Sequence, residues 1–335
     1  MRFPPGKLDL ELLDELLRSN VVEDERVIIR PAVGRDVCAI RMGETCLVAK
    51  TDPITFATDR IGWYVVHVNA NDIATVGARP RWFLVTALLP EGRTDEELVR
   101  SIWADLRAAL RGIGCELCGG HTEVTPGLHR PILVGQMLGE VAADRLVNKE
   151  SVEPGDRILF TKGVPVEGTA IMALEREEQL ASHFPADTIE RARQFLDDPG
   201  ISVVGEAMAA CGAGEVHAMH DPTEGGVTTA LWELACAAGC GMVVDAARIP
   251  ILEPGGALCE HFGLDPLGTI SSGALIICVP PSAARDVSAA VHRMGVTCVD
   301  VGEVRPAEEG SVLLREGQRV PMPVFEQDEI TRLPA

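Results

Sequence analysis

The sequence predicts a mixed α/β protein built from two comparable domains, and three observations carry that reading. At 335 residues the chain is long enough for two hydrophobic cores. Short runs rich in Val and Ile alternate with amphipathic helical stretches along its length. Near the middle, at 148–156, the polar and turn-rich stretch NKESVEPGD interrupts the apolar pattern, and RILFTKG then restarts with a strand. The expected domains are 1–150 and 151–335.

The elements follow in order. A helix is expected from about Leu8 to Arg18, with Leu12, Leu13, Leu16 and Leu17 on one face. The runs VIIRP, VCAIRM and TCLVAKTDP read as strands cut by Gly or charge. The stretch from Gly62 to Val76 is nearly uncharged until Asp72, which predicts a buried helix, and WFLVTALLP is a strand. Thr94 and Glu97 form a capping box opening a helix to Arg111, with Leu98, Ile102, Leu106, Ala109 and Leu110 at helical spacing and Gly112 and Gly114 to stop it. CELCGG and PILVGQMLGEV complete the strands of the first half. In the second half VEGTAIMALEREEQL, GEAMAACGAG and PSAARDVSAAVHRMG read as helices. MVVDAARI, ALIICVP and TCVDVGEV read as strands, and HDPTEGG is a loop feeding a helix with Val227, Leu231, Leu234 and Ala238 on its buried face.

Composition narrows the function classes. A net charge of -20 and a pI near 4.8 make a poor surface for nucleic-acid backbone or anionic membrane. Apolar residues at 46% and charged residues at 24% describe a globular chain. No run of about 18 apolar residues is present, and the N-terminus has no signal-like apolar core, so a cytoplasmic protein is expected. The ten cysteines then read as reduced, mostly buried thiols. Cys115 and Cys118 form a CxxC, but a strand there puts them on opposite faces. Neither GxGxxG nor GxxxxGK[ST] occurs, so a nucleotide would be held by some other loop.

Six short polar segments interrupt the apolar elements: Gly34-Arg35-Asp36, Thr51-Asp52-Pro53, Asn69 to Asp72, Gly119 to Glu123, Lys162-Gly163 and His220 to Gly226. Each aspartate alone reads as a cap or a turn residue. Together, Asp36, Asp52, Asp72, Glu123 and Asp221 suggest a metal and phosphate site. Carboxylates can hold Mg²⁺ against a polyphosphate, glycine turns and helix N-termini supply amide donors, and Lys162 adds a point charge.

These residues carry a resemblance. Asn71-Asp72-Ile73-Ala74-Thr75-Val76-Gly77-Ala78-Arg79-Pro80 resembles the NDLAxxGAxP signature of the ATP-using superfamily typified by aminoimidazole ribonucleotide (AIR) synthase. That PurM-like superfamily includes the hydrogenase maturation protein HypE, thiamine-monophosphate kinase and selenophosphate synthetase. The segments Gly34 to Ile40, Thr51-Asp52-Pro53 and Gly119 to Val124 match its other signatures in order. The segments Gly155 to Gly163, Glu167 to Ala170 and His220 to Val227 are similar to the HypE branch.

The resemblance implies a PurM-like α/β (α+β) fold of two domains, an N-terminal sheet that forms a β-barrel with a homodimer partner, and ATP and Mg²⁺ as cofactors. By position it implies Asp36, Asp52, Asp72 and Glu123 at the metal, and Arg35, Asn71, Lys162, Gly119, Gly120, Thr223, Gly225 and Gly226 at the nucleotide. His220, Asp221 and His121 are implied for catalysis.

Two departures stand out. His121 replaces the family aspartate of GGDT, and no cysteine follows Cys298, whereas HypE carries a C-terminal cysteine as its carbamoyl acceptor. The expectation is an ATP- and Mg²⁺-dependent enzyme of the HypE-like group, without that cysteine chemistry, acting on an amide, carbamoyl or phosphate-accepting substrate. The alternatives are a small-molecule kinase resembling thiamine-monophosphate kinase and a non-catalytic nucleotide-binding maturation scaffold.

Overall fold

The computed structural model describes residues 8–55 and 59–334, which divide into two compact units. The first takes in the described residues up to Ile73 together with Ala78–Leu146. The second takes in Ala74–Gly77 and the described residues from Val147 onward.

The first unit runs α1 (Leu10–Ser19), β1 (Val27–Ile29), β2 (Cys38–Met42), β3 (Thr45–Ile54), α2 (Ile61–Thr75), β4 (Arg79–Pro90), α3 (Glu96–Ile113), β5 (Glu116–Thr125) and β6 (Ile132–Ala142). Its sheet has the order β1-β2-β3-β6-β4-β5, and only β4 and β5 pair in parallel. Strand β4 shows the period of two that a half-covered sheet imposes, with Phe83, Val85, Ala87 and Leu89 buried. Helix α2 is buried nearly all round, as its lack of charge before Asp72 requires. It lies very close to the sheet because β6 carries glycines beneath it. A Cβ on Gly135 would stand 2.4 Å from Asn69 Nδ2, and one on Gly139 would stand 2.4 Å from Ile73 Cγ2.

Helix α3 starts one residue later than the capping box suggests. Asp95 is the cap, its Oδ1 accepting from Leu98 N at 2.9 Å, while the Thr94 hydroxyl donates back to Pro90 O at 2.8 Å. A carboxylate facing the helix N-terminus gains from the dipole as well as the hydrogen bond, and it wins over the hydroxyl.

The second unit contains β7 (Arg157–Thr161), α4 (Glu167–Glu175), α5 (Glu177–Leu180), α6 (Ala186–Arg193), α7 (Val204–Ala213), β8 (Ala218–His220), α8 (Gly226–Ala238), β9 (Gly241–Asp245), α9 (Gly255–Phe262), β10 (Ile276–Val279), α10 (Ala284–His292), β11 (Cys298–Arg305), β12 (Ser311–Arg315) and β13 (Gln318–Pro321). Its sheet has the order β13-β12-β9-β11-β7-β10-β8, with β12 and β9 the one parallel pair. Phe160, Leu231, Leu234, Met242, Ile276 and Leu313 belong to its core.

The expected β-barrel is not what the structure shows. Both sheets are open: one ends at β1 and β5, the other at β13 and β8, and neither pair of ends is hydrogen-bonded among the described residues. A barrel needs its first and last strands to pair along their length, and β1 offers three residues against the ten of β5. No helix among the described residues is long and apolar enough to cross a membrane.

Candidate functional site

In the first unit the geometry is set by β3. Cys46 and Val48 point inward as core residues, and the same alternation puts Lys50 and Asp52 on that face. Helix α2 brings Asn71 and Asp72, both buried, over this end of the strand. The Lys50 Nζ lies 2.7 Å from Asp72 Oδ2 and 3.4 Å from Asp52 Oδ2. Burial alone would depress the Lys50 ammonium, but the opposing charges of Asp72, Asp52 and Asp36 outweigh it and hold its pKa above the ordinary lysine value. Asp36 and Arg35 are exposed on the turn before β2, which closes through Arg35 N to Ala32 O at 3.1 Å. Asp36, Asp52 and Asp72 therefore share one region, Asn71 is buried beside Asp72 in the chain, and Lys50, absent from the expected set, sits among the carboxylates. The signal was available, because strand alternation from Val48 carries the next inward position to 50.

Glu123 and His121 lie elsewhere. Both are exposed on β5, where His121 Nε2 is 3.1 Å from Glu123 Oε2 and Thr125 Oγ1 donates to Glu123 Oε1 at 2.9 Å. The His121 contact, then that of Thr125, keeps the Glu123 carboxyl below its usual range. Along one row of the sheet Asp52 faces Gly135, Gly135 faces Val85, and Val85 faces Gly120. Three strand spacings separate β5 from β3 by about 14 Å, so Glu123 cannot join Asp52 at one ion. Gly119 and Gly120 take φ of +159° and +146° on this strand.

The carboxylates do not fit a divalent ion as they stand. Among the described residues no group of three or more His, Cys, Asp or Glu side chains is gathered closely enough to hold a metal. An ammonium already lies between two of the expected ligands.

In the second unit, β8 delivers His220 and Asp221, both buried, to the loop that opens α8. His220 Nε2 lies 3.2 Å from Glu233 Oε2 of that helix. The amides expected to meet phosphate are engaged within the chain. Gly225 N donates to Asp328 Oδ2 at 2.7 Å, Gly226 N to Thr223 O at 3.0 Å, and Thr228 N to Leu267 O at 3.3 Å. Asp328, which also accepts from Ile270 N and Ile330 N, fills the helix N-terminus with an internal carboxylate. Gly226, at φ +66°, has no room for a side chain, since a Cβ would lie 2.4 Å from Leu267 O. Lys162 is likewise turned inward. Its ammonium donates to Gly200 O at 2.9 Å and Ser202 O at 2.7 Å and pairs with Glu206 Oε1 at 2.9 Å.

Glu167, the first residue of α4, is the group that sequence reasoning missed as a site residue. It is the one charge in the stretch 164–174, VPVEGTAIMAL, which was the available signal. Burial pushes its carboxyl up to about 7; the Ser272 hydroxyl opposes this, and Glu224, Asp328 and Asp221 add to it. Its Oε2 is buried without a hydrogen-bond partner. A carboxyl poised near neutrality can give or take a proton there.

The same shift makes a prediction. The folded carboxyl keeps its proton to about pH 7, while an unfolded glutamate releases it near 4.5. The folded chain thus binds the extra proton in that window, and this contribution to stability is full below 4.5 and lost as pH rises through 7. The gap is worth about 3 kcal/mol. Urea unfolding of wild type and Glu167→Gln should show the variant gaining about that much, relative to wild type, between the two ends of the window. A constant difference between the two proteins would mean that Glu167 is ionised throughout.

Known proteins share this arrangement of elements. Residues 34–141 match the N-terminal domain, and residues 153–315 the C-terminal domain, of AIR synthase related proteins. The carbamoyl dehydratase HypE of Rhizobium leguminosarum bv. viciae is 29% identical over 280 residues, which are 81% of this chain and 77% of that protein. The carbamoyl dehydratase HypE of Azotobacter vinelandii is 32% identical over 256 residues, 75% of this chain and 72% of that one. A crystal structure of hydrogenase maturation protein HypE in complex with ATP gives a TM-score of 0.71 at 25% identity, over 87% of this chain and 89% of the other. With both domains matched in order and relatives covered over most of their length, the chain belongs to the AIR synthase related, PurM-like superfamily, on the side of its hydrogenase maturation proteins of the HypE kind.

Proposed function

We propose that the chain is an ATP-dependent enzyme, working as a homodimer, that activates or phosphorylates an amide, carbamoyl or other phosphate-accepting group. The observation that carries this reading is the pairing of α2 with β3. It brings Asp72 and Asp52 of the signature segments to one ammonium, Lys50, in a chain whose solved HypE relative was crystallised with ATP. Glu167 is the proton-transfer group in this reading, because it is buried, feels the charge of Asp221 and is balanced near neutrality.

A cysteine-borne transfer is not part of the proposal. Burial pushes the thiols of Cys115 and Cys259 up to about 12 and that of Cys298 up to about 11. The thiolate is the nucleophilic form, and burial disfavours it in these three.

Titration calorimetry of a non-hydrolysable ATP analogue into the whole protein, with Mg²⁺ supplied, tests the reading. Binding of one analogue per chain with a Kd of about 1–100 μM supports it. No heat up to millimolar analogue, with no shift of the thermal midpoint, would remove it. One observation favours a second reading, a nucleotide-binding scaffold without catalysis: Asp328 and Glu206 already engage the Gly225 amide and the Lys162 ammonium. Analogue binding with no ATP turnover across amide, carbamoyl and alcohol acceptors would select it.

A further inference from the structure

We propose that Lys50 is a resident counter-ion that takes the place of a divalent metal among Asp36, Asp52 and Asp72. The inference rests on the functional reading above only for the importance of this site. Its geometry stands alone: the ammonium is 2.7 Å from Asp72 Oδ2 and 3.4 Å from Asp52 Oδ2, between two carboxylates that the sequence assigned to one ion. The placement is enforced by the fold. The Lys50 side chain is 11% exposed and that of Asp72 12%, so neither has open water to turn into. The strand alternation that buries Cys46 and Val48 fixes the direction of the lysine stem, and the close seat of α2 on Gly135 and Gly139 fixes Asp72 above it. A desolvated carboxylate needs a nearby positive charge, and here the chain supplies one covalently.

The consequence concerns whether a metal occupies this site. A divalent ion needs at least two of these carboxylates and must meet the ammonium at close range, where like charges repel strongly in a partly buried setting. The nucleotide-free protein therefore holds no metal here.

The test uses Mn²⁺ alone, read by electron paramagnetic resonance of the free ion and by calorimetry, on the whole protein without nucleotide. Wild type should show no site in the micromolar range. Lys50→Met should gain one Mn²⁺ per chain, tighter than wild type by about tenfold or more, and Lys50→Met/Asp72→Asn should lose it. Lys50→Gln, which keeps a polar end, is measured beside the methionine variant in case that one fails to fold. Wild type binding Mn²⁺ in a manner abolished by Asp72→Asn would overturn the proposal, and so would folded Lys50 variants that gain no site. Because no nucleotide is present, a failure here is distinct from a failure of the ATP reading.

Discussion

Replacing Gly120 by alanine will destabilise the first unit by about 4 kcal/mol, far more than alanine at Gly119 or Gly127. Two costs add. The backbone there has φ +146°, a region that side-chain-bearing residues avoid at about 1–3 kcal/mol. An added Cβ would also fall 1.9 Å from Val85 O and 2.8 Å from Val85 N, backbone atoms of the β4 position that pairs with Gly120. Relief requires the parallel β4–β5 pairing to open, and overpacking of this kind costs about 1–3 kcal/mol more. Gly119 and Gly127 serve as controls. At Gly119 a Cβ would meet only Leu84 Cδ2 at 3.9 Å, and at Gly127 it would meet open space, so each alanine should cost about 1 kcal/mol. Urea unfolding of the three variants reads the difference, and a Gly120→Ala protein as stable as Gly127→Ala would contradict the account. The result bears on function. If the glycine pair served only to admit phosphate, both alanines would weaken nucleotide binding with little loss of stability. The structure instead assigns Gly120 to strand pairing and leaves Gly119→Ala as the clean variant for ligand work.

The fold was legible where burial leaves a periodic trace. The alternation in β4, the uncharged run of α2 and the strands of the second core all follow from apolar patterning. What stayed hidden has physical reasons. Helix α6 is short, with four charged residues among its eight and only Ile189 and Ala192 buried, so its apolar stripe is too thin to read. The hairpin β12–β13 is exposed over most of its outer strand, and exposure removes the constraint on sequence. The barrel came from resemblance alone, and no run of residues in the chain argued for it.

At the site, a docked helix brings the signature residue Asp72 to the Lys50 ammonium that Asp52 also faces. The motifs did not report the groups that already engage the expected site residues. Lys50 and Asp328 lie outside the signature residues. Strand alternation from Val48 carries to Lys50, whereas Asp328 reaches the Gly225 amide only because the tail folds inward, which spacing along the chain does not encode.

Lys162→Met should lower the stability of the second unit by about 3–5 kcal/mol, the cost of leaving a buried charge uncompensated. Lys162 sits at φ +55° immediately after β7, and its amide donates to Thr297 O at 2.8 Å, so the backbone aims the side chain inward. The ammonium is held by Gly200 O, Ser202 O and Glu206, whose side chain is 5% exposed. Burial pulls the lysine pKa below its ordinary value and the Glu206 carboxylate pulls it back, as in a pair that is stable only while both members are present. Removing the cation strands Glu206 and two carbonyls. Removing both charges, as in Lys162→Met/Glu206→Leu, strands only the carbonyls and should be more stable than the single variant by about 2 kcal/mol. Chemical unfolding of the two singles and the double closes the cycle, and additive losses would show that the pair is not coupled. Nucleotide binding separates this structural role from the phosphate role that spacing suggested. If Lys162 clamps the fold, the double variant binds the ATP analogue as wild type does. If the ammonium reaches phosphate, the double variant is folded and has lost that binding, and the inward geometry is not the one the protein uses.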